Sequence, residues 1–310
     1  MDIGARSKRI PQAGRVLGIA LLVALAVALA ACSPLAIVDK LTPSDTYTAE
    51  TGIAYGPGAR NRLDVYRPLP SASTSVSTQP GPGGYPVVVF FYGGSWNTGE
   101  CGDYRFVGEA LAARGIVTVV ADYRLYPEVR YPDFLRDSAR AVAWARREVG
   151  RYGGDASRLF VMGHSSGGYN AAMVALDPRW LADAGMDPSA LAGWIGLAGP
   201  YDFLPIKNAK AQPVFNHPDY PANSQPIDYV SARSPPAFLG AAADDDVVNP
   251  ERNSRQMANK LRADSVPVTL RIYDRASHYT LIGAFARPLR GLAPVLHDVA
   301  AFVRGEAAGS

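Results

Sequence analysis

The chain has 310 residues, with 31 Lys or Arg against 28 Asp or Glu. This length allows one large α/β domain with a substantial core, and the near-balance of charge gives no basic surface that would indicate nucleic-acid binding. Residues 1–31 hold four basic residues and one acidic residue, so their net charge of +3 equals that of the whole chain and residues 32–310 are formally neutral.

The N-terminal segment has the pattern of a bacterial signal peptide. Basic residues between positions 6 and 15 precede an apolar run at 16–29, which is short for a membrane span. The ending Leu29-Ala30-Ala31-Cys32 resembles a lipobox, which implies cleavage before Cys32 and lipid on its sulfur and new amino group. Ser33 rather than Asp follows, so we expect a lipoprotein of the cell envelope, held at the outer membrane and facing the periplasm. The alternatives are an ordinary signal peptide with an incidental Cys or an uncleaved anchor.

The rest of the chain is predicted to be a tether followed by one domain. Residues 32–50 are polar and are predicted to connect the lipid to a folded domain at 51–310. Residues 69–84 are rich in Ser, Thr, Pro and Gly, which is typical of a flexible surface loop. Only Cys101 remains once Cys32 is lipidated, so no intramolecular disulfide can form.

Hydrophobic periodicity predicts strands that alternate with helices. In chain order the predicted elements are strands at 62–66 and 87–91, a helix at 106–114, a strand at 116–121, a helix at 133–152, a strand at 159–162, a helix at 169–176, strands at 194–198 and 237–243, a helix at 250–263, a strand at 266–273 and a helix at 289–304 interrupted by Pro294. Most of the strands are continuous apolar runs, which predicts a mostly parallel sheet with helices on both faces. Residues 199–230 lack a sustained pattern and are predicted to form a small cap insertion.

The run Gly163-His164-Ser165-Ser166-Gly167 lies between the predicted strand at 159–162 and the predicted helix at 169–176. A Gly-x-Ser-x-Gly pattern is weak alone, but this strand–turn–helix placement is that of a nucleophile elbow. Gly is needed on both sides of Ser165 because a Cβ would collide where strand and helix pack closely. Ser165 is therefore the candidate nucleophile, and a plain Gly/Ser turn is the alternative.

A serine nucleophile needs a base and a group that orients the base. Of the four histidines, His164 is too close in the chain to Ser165 to act on it, His217 lies in the insertion, and His297 lies in the last helix. His278 follows the last strand, at the sheet edge where ligands of open parallel sheets bind, so it is the candidate base. The alternative is a surface-loop histidine.

Three adjacent carboxylates, Asp244, Asp245 and Asp246, follow the preceding strand. We expect one of them to orient His278, and sequence spacing does not choose among them. A solvated loop or a cation site is the alternative, although a calcium site would need alternate spacing and more oxygen ligands. The order Ser, Asp, His along the chain is that of α/β-hydrolases.

Donors for an oxyanion are predicted in the loop after the strand at 87–91, which reads Tyr-Gly-Gly-Ser-Trp at 92–96. Consecutive glycines let backbone N–H groups aim at one point and let substrate approach closely. The predicted donors are the N–H groups of Gly94, Ser95 and Ser166, with the register of the first two open by one residue. A plain Gly-Gly turn is the alternative.

From about Tyr55 to Arg304 the chain resembles the α/β-hydrolase superfamily, in the carboxylesterase group that includes feruloyl-esterase-like and kynurenine-formamidase-like enzymes. The matching pieces are Leu63-Asp64-Val65-Tyr66-Arg67-Pro68, Tyr92-Gly93-Gly94-Ser95-Trp96, Asp122-Tyr123-Arg124-Leu125, Gly153-Gly154-Asp155, the elbow, and Asp245-Asp246-Val247-Val248-Asn249-Pro250. The resemblance implies the α/β-hydrolase fold and selects Asp245 as the acid, since Val248-Asn249 stands where the group has Val-Pro, with Asp244 and Asp246 as alternatives. Tyr92 replaces the His that usually opens the loop, which is expected to leave the oxyanion hole intact.

The expected reaction is hydrolysis of carboxylic esters of short to medium acyl chain through an acyl-enzyme, with no metal or organic cofactor. The expected partners are a small ester substrate and, through lipid on Cys32, a membrane; the sequence does not indicate an oligomeric state. Aromatic candidates for the substrate pocket are Trp96, Tyr104, Tyr201, Phe203 and Phe215. The alternative functions are an amidase or arylformamidase with the same residues, a catalytically inactive hydrolase fold used as a binding module, and a structural envelope lipoprotein.

Overall fold

The computed structural model describes residues 38, 40–69 and 80–306. Its strands are β1 (Tyr47–Ala54), β2 (Arg62–Pro68), β3 (Tyr85–Phe91), β4 (Val117–Ala121), β5 (Gly154–His164), β6 (Gly193–Leu197), β7 (Ala237–Ala242) and β8 (Val268–Tyr273). They form one sheet in the order β1-β2-β4-β3-β5-β6-β7-β8, in which β2 runs antiparallel to both neighbours and the other pairs are parallel. The predicted mostly parallel sheet is confirmed.

Helices connect the strands. They are α1 (Arg105–Ala112), α2 (Asp133–Glu148), α3 (Ser166–Leu176), α4 (Pro178–Asp183), α5 (Gln256–Ala263), α6 (His278–Gly283) and α7 (Val295–Arg304). Every residue of β4, β6 and β7 is buried, which requires cover on both faces of the sheet. Helices α1 and α7 contact each other, and α2 contacts both α3 and α4. In the part of the chain that the structure describes, no helix combines the length and the apolar character needed to cross a bilayer.

Several predicted helices are divided in the structure. The predicted helix at 133–152 is α2 followed by a 3₁₀ turn, Val149–Tyr152, which ends at Gly153 with φ +77°. The predicted helix at 250–263 begins as a π turn, Glu251–Arg255, before α5. The predicted helix at 289–304 starts only at Val295, because Pro294 lacks the N–H that an earlier turn would need.

The prediction of a tether at residues 32–50 is wrong for residues 47–50. These residues belong to β1, which pairs antiparallel with β2 from Tyr47↔Pro68 to Ala54↔Arg62. The strand lies at the sheet edge and is mostly exposed, so its sequence lacks the apolar run that identifies the inner strands. Residues 1–37, including Cys32 and the signal peptide, and residues 70–79 of the predicted loop lie outside the described residues.

Candidate active site

Ser165 lies in a tight turn between β5 and α3. Its backbone has φ +54° and ψ −124°, a conformation that a residue with a side chain rarely adopts. A Cβ on Gly163 would lie 2.0 Å from the Gly167 carbonyl oxygen, and a Cβ on Gly167 would lie 2.0 Å from that of Phe91. The turn therefore requires glycine on both sides of Ser165, as the sequence predicts, because a Cβ at either position would collide with backbone.

The structure brings His278 to Ser165, with 2.9 Å between His278 Nε2 and Ser165 Oγ. His278 begins α6, where Ser277 and Thr280 cap the helix reciprocally: the Ser277 hydroxyl accepts from Thr280 N–H, and the Thr280 hydroxyl accepts from Ser277 N–H. The imidazole is buried while the Ser165 side chain is partly exposed. The helix start thus holds the ring at the carboxyl edge of the sheet.

Asp245 is the one of the three adjacent carboxylates that bonds His278, with 2.8 Å between Asp245 Oδ2 and His278 Nδ1. Its other oxygen accepts hydrogen bonds from the backbone N–H groups of Val247 and Val248 at 2.9 and 2.8 Å. Asp244 and Asp246 are exposed. Burial alone would raise the pKa of Asp245, but the bonds from His278, Val248 and Val247 together hold that pKa below its usual value.

The ionised Asp245 fixes the tautomer of His278. A carboxylate can only accept, so His278 Nδ1–H donates to it and Nε2 is left to accept the hydroxyl proton of Ser165. The three side chains therefore form one directed chain of hydrogen bonds from nucleophile to base to acid.

His164 has a place in the site that the sequence did not reveal. Its Nε2–H donates to the backbone carbonyl of His278 at 2.8 Å, and the two imidazole centroids are 4.9 Å apart. Burial and the nearby His278 lower the pKa of His164 to about 3, so it is neutral at physiological pH. A residue excluded as the base thus contacts the backbone of the base.

The loop after β3 passes against the nucleophile. A Cβ on Gly93 would lie 3.0 Å from Ser165 Cβ. The three residues that follow all have positive φ: +133° at Gly94, +53° at Ser95 and +59° at Trp96. Ser166 is the first residue of α3, and a backbone N–H at that position has no acceptor within its own helix. The predicted donor segments therefore both adjoin Ser165.

A cavity of about 390 Å³ opens beside Ser165 within the described residues. Its apolar lining comes from the loop after β3 (residues 92–99, called the oxyanion loop below), the predicted cap and the segment after Asp245. It includes Trp96, Phe203, Ile206, Val247 and Val248. Of the predicted aromatic lining residues, Trp96 and Phe203 face this cavity. Tyr104, Tyr201 and Phe215 do not: Tyr104 stacks on Tyr92, Tyr201 packs against Trp194, and Phe215 packs behind Trp96.

Polar residues also line the cavity, among them Asp202, Arg252 and Asn253. Arg252 Nη2 donates to Asp202 Oδ1 at 2.9 Å and to the Leu204 carbonyl at 2.6 Å. The buried Asn253 accepts from the backbone N–H groups of Tyr201 and Asp202 at 2.6 and 3.0 Å. These bonds connect the first part of residues 199–230 to the π turn Glu251–Arg255. Hydrogen bonds and an ion pair therefore hold this part of the cavity lining in place.

Comparisons with known proteins agree with this architecture. The BD-FAE family model matches residues 76–261 of the chain. Esterase LipC of Mycobacterium tuberculosis is 31% identical over 238 residues, covering 71% of this chain and 56% of that protein. A probable isoprenylcysteine alpha-carbonyl methylesterase of Arabidopsis thaliana is 26% identical over 278 residues, covering 82% and 56%. The chain thus spans a little over half the length of these two relatives.

Solved structures show the same fold. A truncated carbohydrate esterase from gut microbiota matches with a TM-score of 0.69 at 18% identity, over 85% of this chain and 98% of that one. An esterase of Pyrobaculum calidifontis matches with a TM-score of 0.66 at 21% identity, over 87% and 88%. The expected α/β-hydrolase fold is confirmed.

Proposed function

Since the chain belongs to the BD-FAE family, we propose that it is a serine hydrolase that cleaves carboxylic esters of short to medium acyl chain. The observation that carries this proposal is the unbroken hydrogen-bond chain from Ser165 through His278 to Asp245, beside an open cavity. The esterase names of the two curated relatives support the same reaction.

In the proposed first half-reaction, Ser165 Oγ attacks the ester carbonyl while His278 Nε2 takes the hydroxyl proton. The imidazolium that forms is stabilised by Asp245, which stays ionised because its pKa lies below the usual value. The backbone N–H groups of Gly94, Ser95 and Ser166 bind the negative oxygen of the tetrahedral intermediate. His278 then protonates the leaving alcohol, and the acyl group remains on Ser165.

In the second half-reaction, water replaces the alcohol. His278 takes a proton from the water, the hydroxide adds to the acyl carbonyl, and the same backbone donors bind the oxyanion. Collapse of this intermediate breaks the bond to Ser165 Oγ, which receives the proton from His278. The acid leaves, and no group beyond these residues and water takes part.

The cavity supports a small ester. Its volume of about 390 Å³ lies near the lower end of the range for small-molecule sites, roughly 300–1,000 Å³. Its apolar lining residues suit an acyl chain. Of the polar lining residues, Asp202 and Arg252 are paired with each other.

An amidase or arylformamidase reaction would use the same three side chains. The two differ in the leaving group that His278 must protonate, an amine instead of an alcohol. An inactive hydrolase fold that serves as a binding module is the lesser alternative, because such a protein would have no use for the bonds among Ser165, His278 and Asp245.

The test is a rate assay of the full chain on p-nitrophenyl acetate and butyrate, with Ser165→Ala beside it. We expect hydrolysis by the wild type and only background rates with Ser165→Ala, whereas Ser157→Ala, an exposed serine on β5, keeps the wild-type rate. Equal rates for Ser165→Ala and wild type would rule out Ser165 as the nucleophile. A panel of matched esters and N-formyl amides then separates the esterase from the amidase.

We also propose that lipid on Cys32 anchors the enzyme in the cell envelope, at the outer membrane. The support is the sequence alone: a basic segment, an apolar run and Leu29-Ala30-Ala31-Cys32. Labelled palmitate should enter the wild-type protein and not Cys32→Ala. A Cys32→Ala protein that fractionates with membranes as the wild type does would contradict the proposal.

A further inference from the structure

Tyr92, the residue that opens the oxyanion loop, is fully buried and bonded through its phenol. The phenol O–H donates to Asp122 Oδ1 at 2.7 Å, and the same oxygen accepts from Arg60 Nη2 at 2.8 Å. The ring lies between two other rings, 5.3 Å from Tyr104 and 4.9 Å from Tyr123 by centroid. The start of the loop is therefore fixed by stacking and by two hydrogen bonds to charged groups.

Arg60 also holds the far end of the loop. Its Nη2 donates to the Gly99 carbonyl at 2.5 Å, and its Nε donates to the Tyr123 carbonyl at 3.2 Å. Between the two ends, the Gly94 carbonyl accepts from the N–H groups of Asn97 and Thr98 at 3.0 and 3.2 Å. One guanidinium in the turn between β1 and β2 thus spans the loop from Tyr92 to Gly99.

Asp122, directly after β4, balances the charge of Arg60 and adds a third attachment. Its Oδ1 lies 3.5 Å from Arg60 Nη2 and accepts from the backbone N–H of Cys101 at 2.8 Å. Burial works against the charge of Arg60, but the neighbouring Tyr92 and Asp122 outweigh it and raise the pKa of Arg60. For Tyr92, burial itself raises the pKa, so the phenol keeps its proton.

The loop needs such support because of its backbone. Gly94, Ser95 and Trp96 have positive φ in succession, and a Cβ on Gly94 would lie 2.2 Å from the Thr98 carbonyl oxygen. Residues with side chains keep such conformations only where their surroundings impose them. A shift of this segment would move its N–H groups relative to Ser165.

We propose that Arg60, Tyr92 and Asp122 are positioning residues that hold the oxyanion donors of this loop in place, with the Tyr92 hydroxyl as the link between the loop and the partly buried Arg60–Asp122 ion pair. The proposal rests on the proposed ester hydrolysis. None of the three lines the cavity, so they act through the backbone of Gly94 and Ser95 and do not touch substrate. Tyr92, which stands where the resembling group has His, is thus hydrogen-bonded to Arg60, a residue that the resemblance did not identify.

The consequence is a specific kinetic signature. Oxyanion donors bind the transition state more tightly than the ground state, so their misplacement lowers kcat and leaves KM nearly unchanged. A displacement of the order of 1 Å costs up to about 100-fold in rate. A side chain that only contributed to folding would lower the melting temperature without this selective loss of kcat.

The test compares Tyr92→Phe with Tyr273→Phe in the full chain. Both substitutions remove one phenol hydroxyl whose O–H donates to a carboxylate at 2.7 Å, but Tyr273 bonds Asp298 of α7, away from the loop. For Tyr92→Phe we expect kcat about 10- to 100-fold lower, KM within about twofold, and a trifluoromethyl ketone inhibitor weakened by the same factor as kcat/KM. For Tyr273→Phe we expect wild-type values of all three.

A double-mutant cycle with Arg60→Lys tests the link itself. Because Tyr92 and Arg60 share one bond and each makes others, the double variant should lose less kcat than the product of the two single losses. Wild-type kcat in Tyr92→Phe, multiplicative losses in the cycle, or equal losses in Tyr92→Phe and Tyr273→Phe would each overturn the proposal. These outcomes are ratios between variants of an active enzyme; a wild type no faster than Ser165→Ala would instead refute the proposed function.

Discussion

The two halves of the candidate site are held in place by different means. On one side, after β5, β7 and β8, Ser165, Asp245 and His278 are joined directly: His278 bonds Asp245 at 2.8 Å and Ser165 at 2.9 Å. On the other side, after β3, the proposed donors are backbone N–H groups, and the bonds that fix them come from Arg60, Tyr92 and Asp122 beneath the loop. The first half depends on which side chains are present, and the second depends on backbone conformation.

This difference separates the expected effects of substitution. In the acid–base half, a substitution removes a group that transfers or stabilises a proton. The loss of kcat should therefore be large, and it should not occur at neighbouring residues of the same type. In the oxyanion half, a substitution changes the aim of donors that remain present, so the losses should be smaller and should come from residues away from the substrate.

The largest effect is expected at Asp245. Asp245→Asn should lower kcat by about 10⁴-fold, because an amide at this position favours the wrong tautomer of His278. Asp244→Asn and Asp246→Asn are matched controls on exposed neighbours and should keep nearly wild-type rates. Steady-state kinetics on p-nitrophenyl butyrate measure all three, and a loss at Asp246 as large as that at Asp245 would reject the assignment.

A smaller loss is expected when the oxyanion loop is displaced. Gly94→Ala forces a Cβ to 2.2 Å from the Thr98 carbonyl oxygen at φ +133°, so the loop must move and kcat should fall by about 100- to 1,000-fold. Gly102→Ala is the control, since a Cβ there meets nothing within 4 Å. Melting temperatures show whether each variant is folded; a folded Gly94→Ala with wild-type kcat would show that this loop supplies no donor.

His164 should have an intermediate effect on the acid–base half. His164→Leu removes the N–H that bonds the His278 carbonyl, and we expect kcat to fall by about tenfold through misplacement of the base. His164→Gln keeps an amide donor and should lose less. Equal kcat in the two variants would mean that the bond to His278 does not position the base.

The last expected effect concerns stability instead of rate. The pKa of His164 falls from 6.5 to about 3 on folding, so below about pH 6.5 the unfolded chain binds a proton that the folded chain does not. The free energy of unfolding is therefore highest above about pH 6.5 as far as His164 is concerned. It falls as the pH drops towards 3, by at most about 1.4 kcal/mol for each pH unit.

Urea unfolding at pH 7 and pH 4.5 measures this dependence. We expect the free energy of unfolding to fall less between the two pH values in His164→Leu than in the wild type. His297→Asn, a substitution of an exposed histidine on α7, should leave the wild-type difference intact. The same pH difference in His164→Leu and wild type would contradict the inferred burial of a neutral imidazole.

The contrast between the halves also explains what the sequence revealed. Inner strands and the turn at Ser165 were predictable because buried runs and Gly-x-Ser-x-Gly leave a local signature. His278 followed from its place after the last strand. The choice of Asp245 came only from the family resemblance, because three identical side chains stand side by side and only the fold decides which one faces the imidazole.

Arg60 and strand β1 illustrate the part that the sequence did not reveal. Strand β1 is an exposed edge strand without an apolar run, and Arg60 lies in the turn after it with no chemical pattern around it. Its contacts with Tyr92 and Gly99 join residues about 30 to 40 positions apart, which no local pattern reports. Tyr92 stands where the resembling group has His, but its bonds to Arg60 and Asp122 leave no local pattern in the sequence.

The most direct test of Ser165 as the nucleophile is covalent labelling. Incubation of the full chain with a fluorophosphonate, followed by intact-mass and peptide mass spectrometry, should show one adduct per chain, located on Ser165. Labelling should be absent in Ser165→Ala and slowed at least 100-fold in His278→Ala, because the hydroxyl then lacks its base. Labelling of Ser165→Ala at the wild-type rate, or an adduct on another residue, would contradict a nucleophilic Ser165.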